Sequence, residues 1–284
     1  MRADSGDTPL RYPPLFIIGP PRTGSTLLYQ LVVQRFDVGY LANRHCRLYG
    51  AASLVERTRT KAWPPGEYSS RYGRTDGPDA PSECPEYWYR FFRQSPQYVP
   101  RGDMTPRQIR RLRGSVHALG DGAGKPFVFK NLICALRLGP IAEAFPEAVF
   151  VRIRRDLLAT ATSLLAGRMS LFGDYGHWWS SEPPEIDRLR TLPPDEQVVE
   201  QVRSIDALID RARDEIGASR FCELSYESLC EDAPAALEQI AALTERNGFR
   251  LTTRTEVPSS LERSTPDAID SPLHERLVAY IHGS

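Results

Sequence analysis

Leu15-Phe16-Ile17-Ile18 is a continuous apolar run that halts at Gly19-Pro20-Pro21, as a central parallel strand buried on both faces would. Leu27, Leu28, Leu31 and Val32 then fall at helical spacing within Thr26–Phe36, predicting a helix directly after a glycine-bearing turn. The alternation recurs downstream. Phe127–Phe129 reads as a strand, Leu138–Phe145 as a short helix, Ala148–Ile153 as a strand and Leu157–Ala166 as a helix. Val198, Val202, Ile205, Ile209, Ala212 and Ile216 step by 4, 3, 4, 3 and 4 residues, which is an amphipathic helix. Arg220–Leu224 reads as a further strand, and Pro234–Arg246 as a helix with its proline in the first turn and Gly248 as its stop. Strands alternating with helices predict an α/β fold of three layers around a central, mainly parallel sheet.

The rhythm fails between residues 37 and 125, where Trp63-Pro64-Pro65-Gly66, Tyr72-Gly73-Arg74 and Gly77-Pro78-Asp79-Ala80-Pro81 intervene. A stretch of this kind inside one α/β domain spanning residues 1–284 is expected to be an irregular or helical substrate-binding insertion or lid. Tyr87, Trp88, Tyr89, Phe91 and Phe92 within it are expected to divide between anchoring the insertion and walling an acceptor pocket. Arg107, Arg110, Arg111 and Arg113 sit at helical spacing and read as a wetted face that could also meet an anionic acceptor. Gly167–Pro194, with Trp178 and Trp179, is expected to be irregular and to border the same cleft. Residues 1–13 are polar and end in prolines, the pattern of a frayed or surface-draped terminus.

Charge narrows the partners. Thirty-six Lys+Arg balance 36 Asp+Glu, so no global field draws the chain to nucleic acid or to an anionic membrane, and any basic site must be local. No apolar run approaches the roughly 18 residues of a membrane span, and the first residues lack a signal-peptide core. The expected compartment is the cytoplasm. Cys46, Cys84, Cys134, Cys222 and Cys230 are widely spaced without a C-x-x-C pair, and are expected to be reduced thiols filling core and loops.

Local cation chemistry is found at Gly19-Pro-Pro-Arg22-Thr23-Gly24-Ser25-Thr26. Between a strand and a helix, backbone N–H groups of such a turn face an anion, aided by the positive end of the helix dipole. The Gly19-to-Gly24 spacing matches the phosphate loop (P-loop) of nucleotide triphosphatases, but Ser25 stands where the triphosphate-gripping lysine belongs. Arg22 restores a cation within the turn, which suits a single phosphate or phosphosulfate.

Phe16 to Leu28 resembles the 5′-phosphosulfate loop of the PAPS-dependent sulfotransferases. Val149-Phe-Val-Arg-Ile-Arg154-Arg155-Asp156 followed by Ser163 is similar to that family's 3′-phosphate motif, with Leu157 and Ala159 departing from its usual Pro and Asp. Leu224-Ser225-Tyr226-Glu227-Ser228 resembles its Tyr-Glu-Asp segment near the adenine. The resemblance implies a P-loop nucleotide-binding fold, PAPS as co-substrate and PAP as product, and no required metal. It implies donor binding by Arg22, Thr23, Gly24, Ser25, Thr26, Leu27, Arg155, Ser163 and Tyr226. It also implies that Arg22 and Lys130 meet the charge on the migrating group.

For the base that takes the acceptor's proton, Glu83 is the first choice and His45 competes with it. The acceptor expected is a hydroxyl on a small molecule or a glycan. A P-loop kinase and a nucleotide-binding module without transfer activity remain as alternatives.

Overall fold

In the computed structural model, described for residues 9–59, 63, 64, 68, 70 and 73–283, five strands form one sheet. They are β1 (Leu15–Ile18), β2 (Gly39–Tyr40), β3 (Phe127–Lys130), β4 (Val149–Arg154) and β5 (Phe221–Ser225), in the order β2-β3-β1-β4-β5. Every pairing is parallel. Residues 1–8 of the expected frayed terminus, and Pro65, Gly66 and Tyr72 of the loop pieces, lie outside the described residues.

Alternation along the strands divides the core. Phe16 is in register with Phe129 and Phe150, and Phe150 with Phe221. Their rings stack across four strands with centroids 5.3, 5.7 and 4.9 Å apart, an arrangement that adds to the burial each phenylalanine contributes. Leu15 and Ile17 point to the other face.

The helices in chain order are α1 (Ser25–Arg35), α2 (Asn43–Arg47), α3 (Ala52–Thr58), α4 (Pro85–Trp88), α5 (Pro106–Ala123), α6 (Leu138–Ala144), α7 (Leu157–Phe172), α8 (Ile186–Leu189), α9 (Pro194–Ile216), α10 (Tyr226–Glu231), α11 (Ala233–Arg246) and α12 (Ser271–Gly283). Leu112 and Val116 of α5, Ile141 of α6, and Ile205 and Ile209 of α9 cover the phenylalanine face. Leu28 and Val32 of α1, with Leu237 and Ile240 of α11, cover the opposite one. Helix α9 is also held to the sheet by charge. Arg152 of β4 has no exposed surface and pairs with Asp206 and Asp210. Arg152's hydrogen bond holds the Asp210 carboxyl below its usual value.

Three stretches differ from the sequence reading. Residues 37–125 contain the edge strand β2 and the 18-residue helix α5. Ile109, Leu112, Val116 and Leu119 supply α5's apolar stripe, and Thr105 and Gln108 form a capping box at its start. Helix α7 does not stop at Ala166 but runs to Phe172, where Gly173 with φ 70° ends it. Gly167 is no terminator: a Cβ there would lie 2.4 Å from the Trp179 ring, so the glycine admits the indole against the helix. The sequence reading also lacks α12, whose Leu273 and Leu277 pack on Leu164 of α7 and Val198 of α9.

Because all strands run one way, the C-terminal ends of β1, β3, β4 and β5 share one edge. From β1 the chain turns toward β2, whereas from β4 it turns toward β5. The crevice opened by that reversal is where open α/β sheets bind ligands.

Candidate active site

The turn after β1 is shaped by two left-handed residues, Arg22 at φ 68° and Gly24 at φ 86°. For arginine this conformation is uncommon and costs on the order of 1 kcal/mol. At Gly24 a Cβ would meet Cδ2 of Tyr226 at 2.3 Å, so only glycine lets that ring lie on the loop. Thr23 Oγ1 donates to the Pro20 carbonyl at 2.8 Å, which braces the turn from inside. Helix α1 starts at Ser25 with no acidic residue in its first turn, leaving its positive end to face the crevice.

Arginines from distant parts of the chain meet at this turn. Arg22 Nε donates to Ser163 Oγ of α7 at 2.9 Å. Arg155 donates from Nη1 to the Arg22 carbonyl at 3.4 Å, and its guanidinium lies 4.5 Å from the centre of the Tyr226 ring. The Ser264 backbone N–H donates to the Tyr226 hydroxyl at 2.8 Å, while the Ser264 carbonyl accepts from Arg155 Nη2. Burial pushes the Tyr226 phenol above its usual value, so it stays protonated.

Arg22, Gly24, Ser25, Thr26, Leu27, Arg155 and Tyr226 line one cavity of about 620 Å³, within the range of small-molecule sites. Ser163 reaches it through Arg22. Thr23 is 1% exposed and serves the turn rather than the cavity wall.

Lys130 and Glu83 line the same cavity, next to Thr26 of the loop. Lys130 ends β3 with its side chain 2% exposed; its ammonium donates to Thr26 Oγ1 at 3.1 Å and pairs with Glu83 Oε1. The other Glu83 oxygen accepts from the Leu132 N–H at 3.2 Å, and Asn131 Nδ2 donates to the Glu83 carbonyl at 3.2 Å. Sequence alone suggests Lys130 and Glu83 separately; folding makes them one ion pair.

His45 is not brought to the cavity. It has no exposed surface; its Nδ1 accepts from the Ala42 N–H at 2.9 Å and its Nε2 stands 3.2 Å from Glu56 Oε2. With both nitrogens engaged inside the protein, it has no route to an acceptor proton. Burial pushes the Glu56 carboxyl up, but hydrogen bonds from His45 and Arg59 outweigh it and hold the group below its usual value.

Tyr89 lines the cavity, whereas Tyr87, Trp88, Phe91 and Phe92 are buried in the core. Arg107, Arg110 and Arg111 lie exposed on α5, and Arg113 pairs with Glu147. Trp179 reaches the cavity from the segment expected to border it, with Ser180 and Ser181. Leu261, Glu262 and Ser264 also line it. No periodicity marks this strap, which is held instead by the Leu261 N–H donating to the Cys230 carbonyl at 2.8 Å.

The profile of the Sulfotransferase family matches residues 13–247. Among curated proteins, the omega-hydroxy-beta-dihydromenaquinone-9 sulfotransferases Stf3 of Mycobacterium bovis and Mycobacterium tuberculosis are each 28% identical over 255 residues, 82% of this chain. The chain spans 63% of the length of these relatives. Among solved structures, sulfotransferase STF9 from Mycobacterium avium superposes with a TM-score of 0.54 at 18% identity, over 98% of this chain and 69% of that one. At that identity the likeness speaks for the fold.

Proposed function

The chain belongs to the sulfotransferase family, and on that premise we propose that it moves a sulfuryl group from PAPS to a hydroxyl of a small molecule or saccharide. The observation that carries the reading is the shared cavity of Arg22 and Arg155, with the Lys130–Glu83 pair in the same lining. The residues fit such a donor. Two guanidiniums and the N–H groups opening α1 suit two anionic ends of one nucleotide, and the Tyr226 ring offers a flat face. Bound there, PAPS supplies an activated sulfuryl group and departs as PAP.

Arg22 and the first-turn amides of α1 neutralise negative charge gathering at the loop, fixed in place before it forms. Arg155, with Ser163 bracing Arg22, holds the other anionic end. Lys130 is buried where its ammonium can exchange Glu83 for a developing oxyanion. Glu83 then accepts the acceptor's proton at Oε1, while the Leu132 N–H keeps the carboxylate aimed through Oε2. Tyr68, Tyr89, Leu132, Ile133 and Leu261 add an apolar side to the cavity, which suits a hydroxyl on a partly apolar framework. The curated relatives are named for such an acceptor, an omega-hydroxylated menaquinone. The segment 37–125, which bears Glu83, acts in this reading as the acceptor-side wall of a single domain. A cytoplasmic setting, where thiols stay reduced, belongs to this reading. No helix among the described residues is long and apolar enough to cross a membrane.

The test is release of PAP from PAPS in the presence of a panel of alcohols and saccharides. Acceptor-dependent PAP release is expected. Hydrolysis of ATP with magnesium and no binding of PAP would overturn the reading in favour of a P-loop kinase.

A further inference from the structure

Helix α2 and the turn into α4 bring together two cysteines far apart in the chain. The sulfurs of Cys46 and Cys84 and a carboxylate oxygen of Glu86 all lie within 4.8 Å of one another. We propose that these three side chains form a binding site for a thiophilic divalent cation of the zinc class, behind the stretch of the cavity wall that carries Glu83.

The geometry suits a tetrahedral ion. Zinc–sulfur bonds of about 2.3 Å place neighbouring ligands roughly 3.5–4 Å apart, so side-chain rotations of about an ångström complete the triangle. Cys84 is fully buried, Cys46 partly exposed and Glu86 exposed: the site has a closed floor and an open mouth. Cys46, Ser82 and Glu86 all line a second cavity, of about 780 Å³, which gives the ion a way in and leaves the fourth position to water.

Ser82 Oγ lies 3.2 Å from the Cys46 sulfur, where its hydroxyl can donate to a thiolate, as the surrounding shell of metal ligands commonly does. Two sulfurs and one carboxylate select zinc over magnesium or calcium, which prefer oxygen alone. A disulfide would use the two thiols but leave the converging carboxylate without a role. On binding, each thiol releases its proton to solvent as its sulfur bonds the metal, whereas the carboxylate binds already ionised. Glu83 immediately precedes Cys84, so a bound ion fixes the backbone on which that carboxylate rides.

The full chain, freed of metal and reduced with a non-chelating phosphine, is titrated with cobalt(II) while absorbance and proton release are followed. Expected are thiolate-to-cobalt charge-transfer bands saturating at one ion per chain, bleached by one equivalent of zinc, with about two protons released. C46S removes much of the charge-transfer intensity. Glu86→Gln, an exposed change that leaves folding intact, weakens cobalt by roughly tenfold or more. Circular dichroism of each variant separates loss of the site from loss of the fold. Absence of charge-transfer bands in the reduced parent protein overturns the proposal, as does an unchanged titration in folded C46S and E86Q.

Discussion

The two walls of the cavity are built differently. The side proposed for the donor is assembled from strand ends and the turns that follow them: Pro21, Arg22 and Gly24–Leu27 after β1, Arg155 after β4 and Tyr226 after β5. Each contribution is local, because a parallel sheet automatically delivers the ends of its strands to one edge. The side proposed for the acceptor joins Glu83 and Tyr89 of residues 37–125 to Lys130, Leu132, Ile133 and Leu261, and Glu83 reaches its place through the Lys130 ion pair and the Leu132 and Asn131 hydrogen bonds. Short motifs fix the first wall; in the second, Lys130 is a strand end but Glu83 depends on long-range packing.

Breaking the acceptor wall is expected to have the largest effect. Glu83→Gln keeps the size and the Leu132 contact but removes the base, and should lower kcat roughly 10²–10⁴-fold with little change in PAP affinity. Lys130→Ala should lower kcat by roughly 10²–10³-fold. Single-turnover rates at saturating PAPS check both, and an unaltered chemical step in Glu83→Gln removes that residue from the mechanism.

The donor wall should divide by role. Arg22→Ala is expected to reduce kcat more than Arg155→Ala, which should chiefly raise the KM for PAPS, by roughly 10–100-fold for a lost charged hydrogen bond. Identical effects of the two substitutions on both parameters would count against this division.

Next in size is a stability effect confined to the acceptor side. Glu56 is buried against His45 and Arg59, and Glu56→Gln should cost about 3 kcal/mol in denaturant unfolding by leaving its partners unmatched. Its carboxyl is held below the usual value in the folded state, so the unfolded chain binds the proton more readily. The stabilisation is therefore complete above the ordinary carboxylate range and lost as pH falls through the depressed folded value. Melts from pH 7 downward should show a smaller acid-dependent loss in Glu56→Gln than in the parent. A smaller effect still is expected at the exposed Arg110, where substitution by alanine should change stability by under about 0.5 kcal/mol and leave PAP binding untouched.

The same contrast governs what could be read from the sequence. The order of the main strands and helices and the loop at Arg22 were legible because continuous apolar runs and glycine turns are local signals; Arg155 and Ser163 were named from the resemblance alone, and the structure bonds Ser163 to Arg22 instead. Within 37–125 the arginines at helical spacing already pointed to a helix, but the Thr105–Gln108 cap and the stripe from Ile109 to Leu119 that bound α5 went unread. Gly167 misled because a helix glycine that admits an indole looks like a helix end. His45 misled for a deeper reason: a histidine's role depends on which partners its nitrogens find, and Ala42 and Glu56 occupy both. The strap bearing Leu261 and Ser264 had no signal at all, since backbone hydrogen bonds to Cys230 and the Tyr226 hydroxyl hold it.

The most direct trial of the whole account is calorimetric titration of PAP into the parent protein, Arg22→Ala, Arg155→Ala and the double variant. One site per chain is expected, weakened by about tenfold or more in each single variant and further in the double, because both guanidiniums grip one nucleotide. Undiminished affinity in either single variant would contradict it.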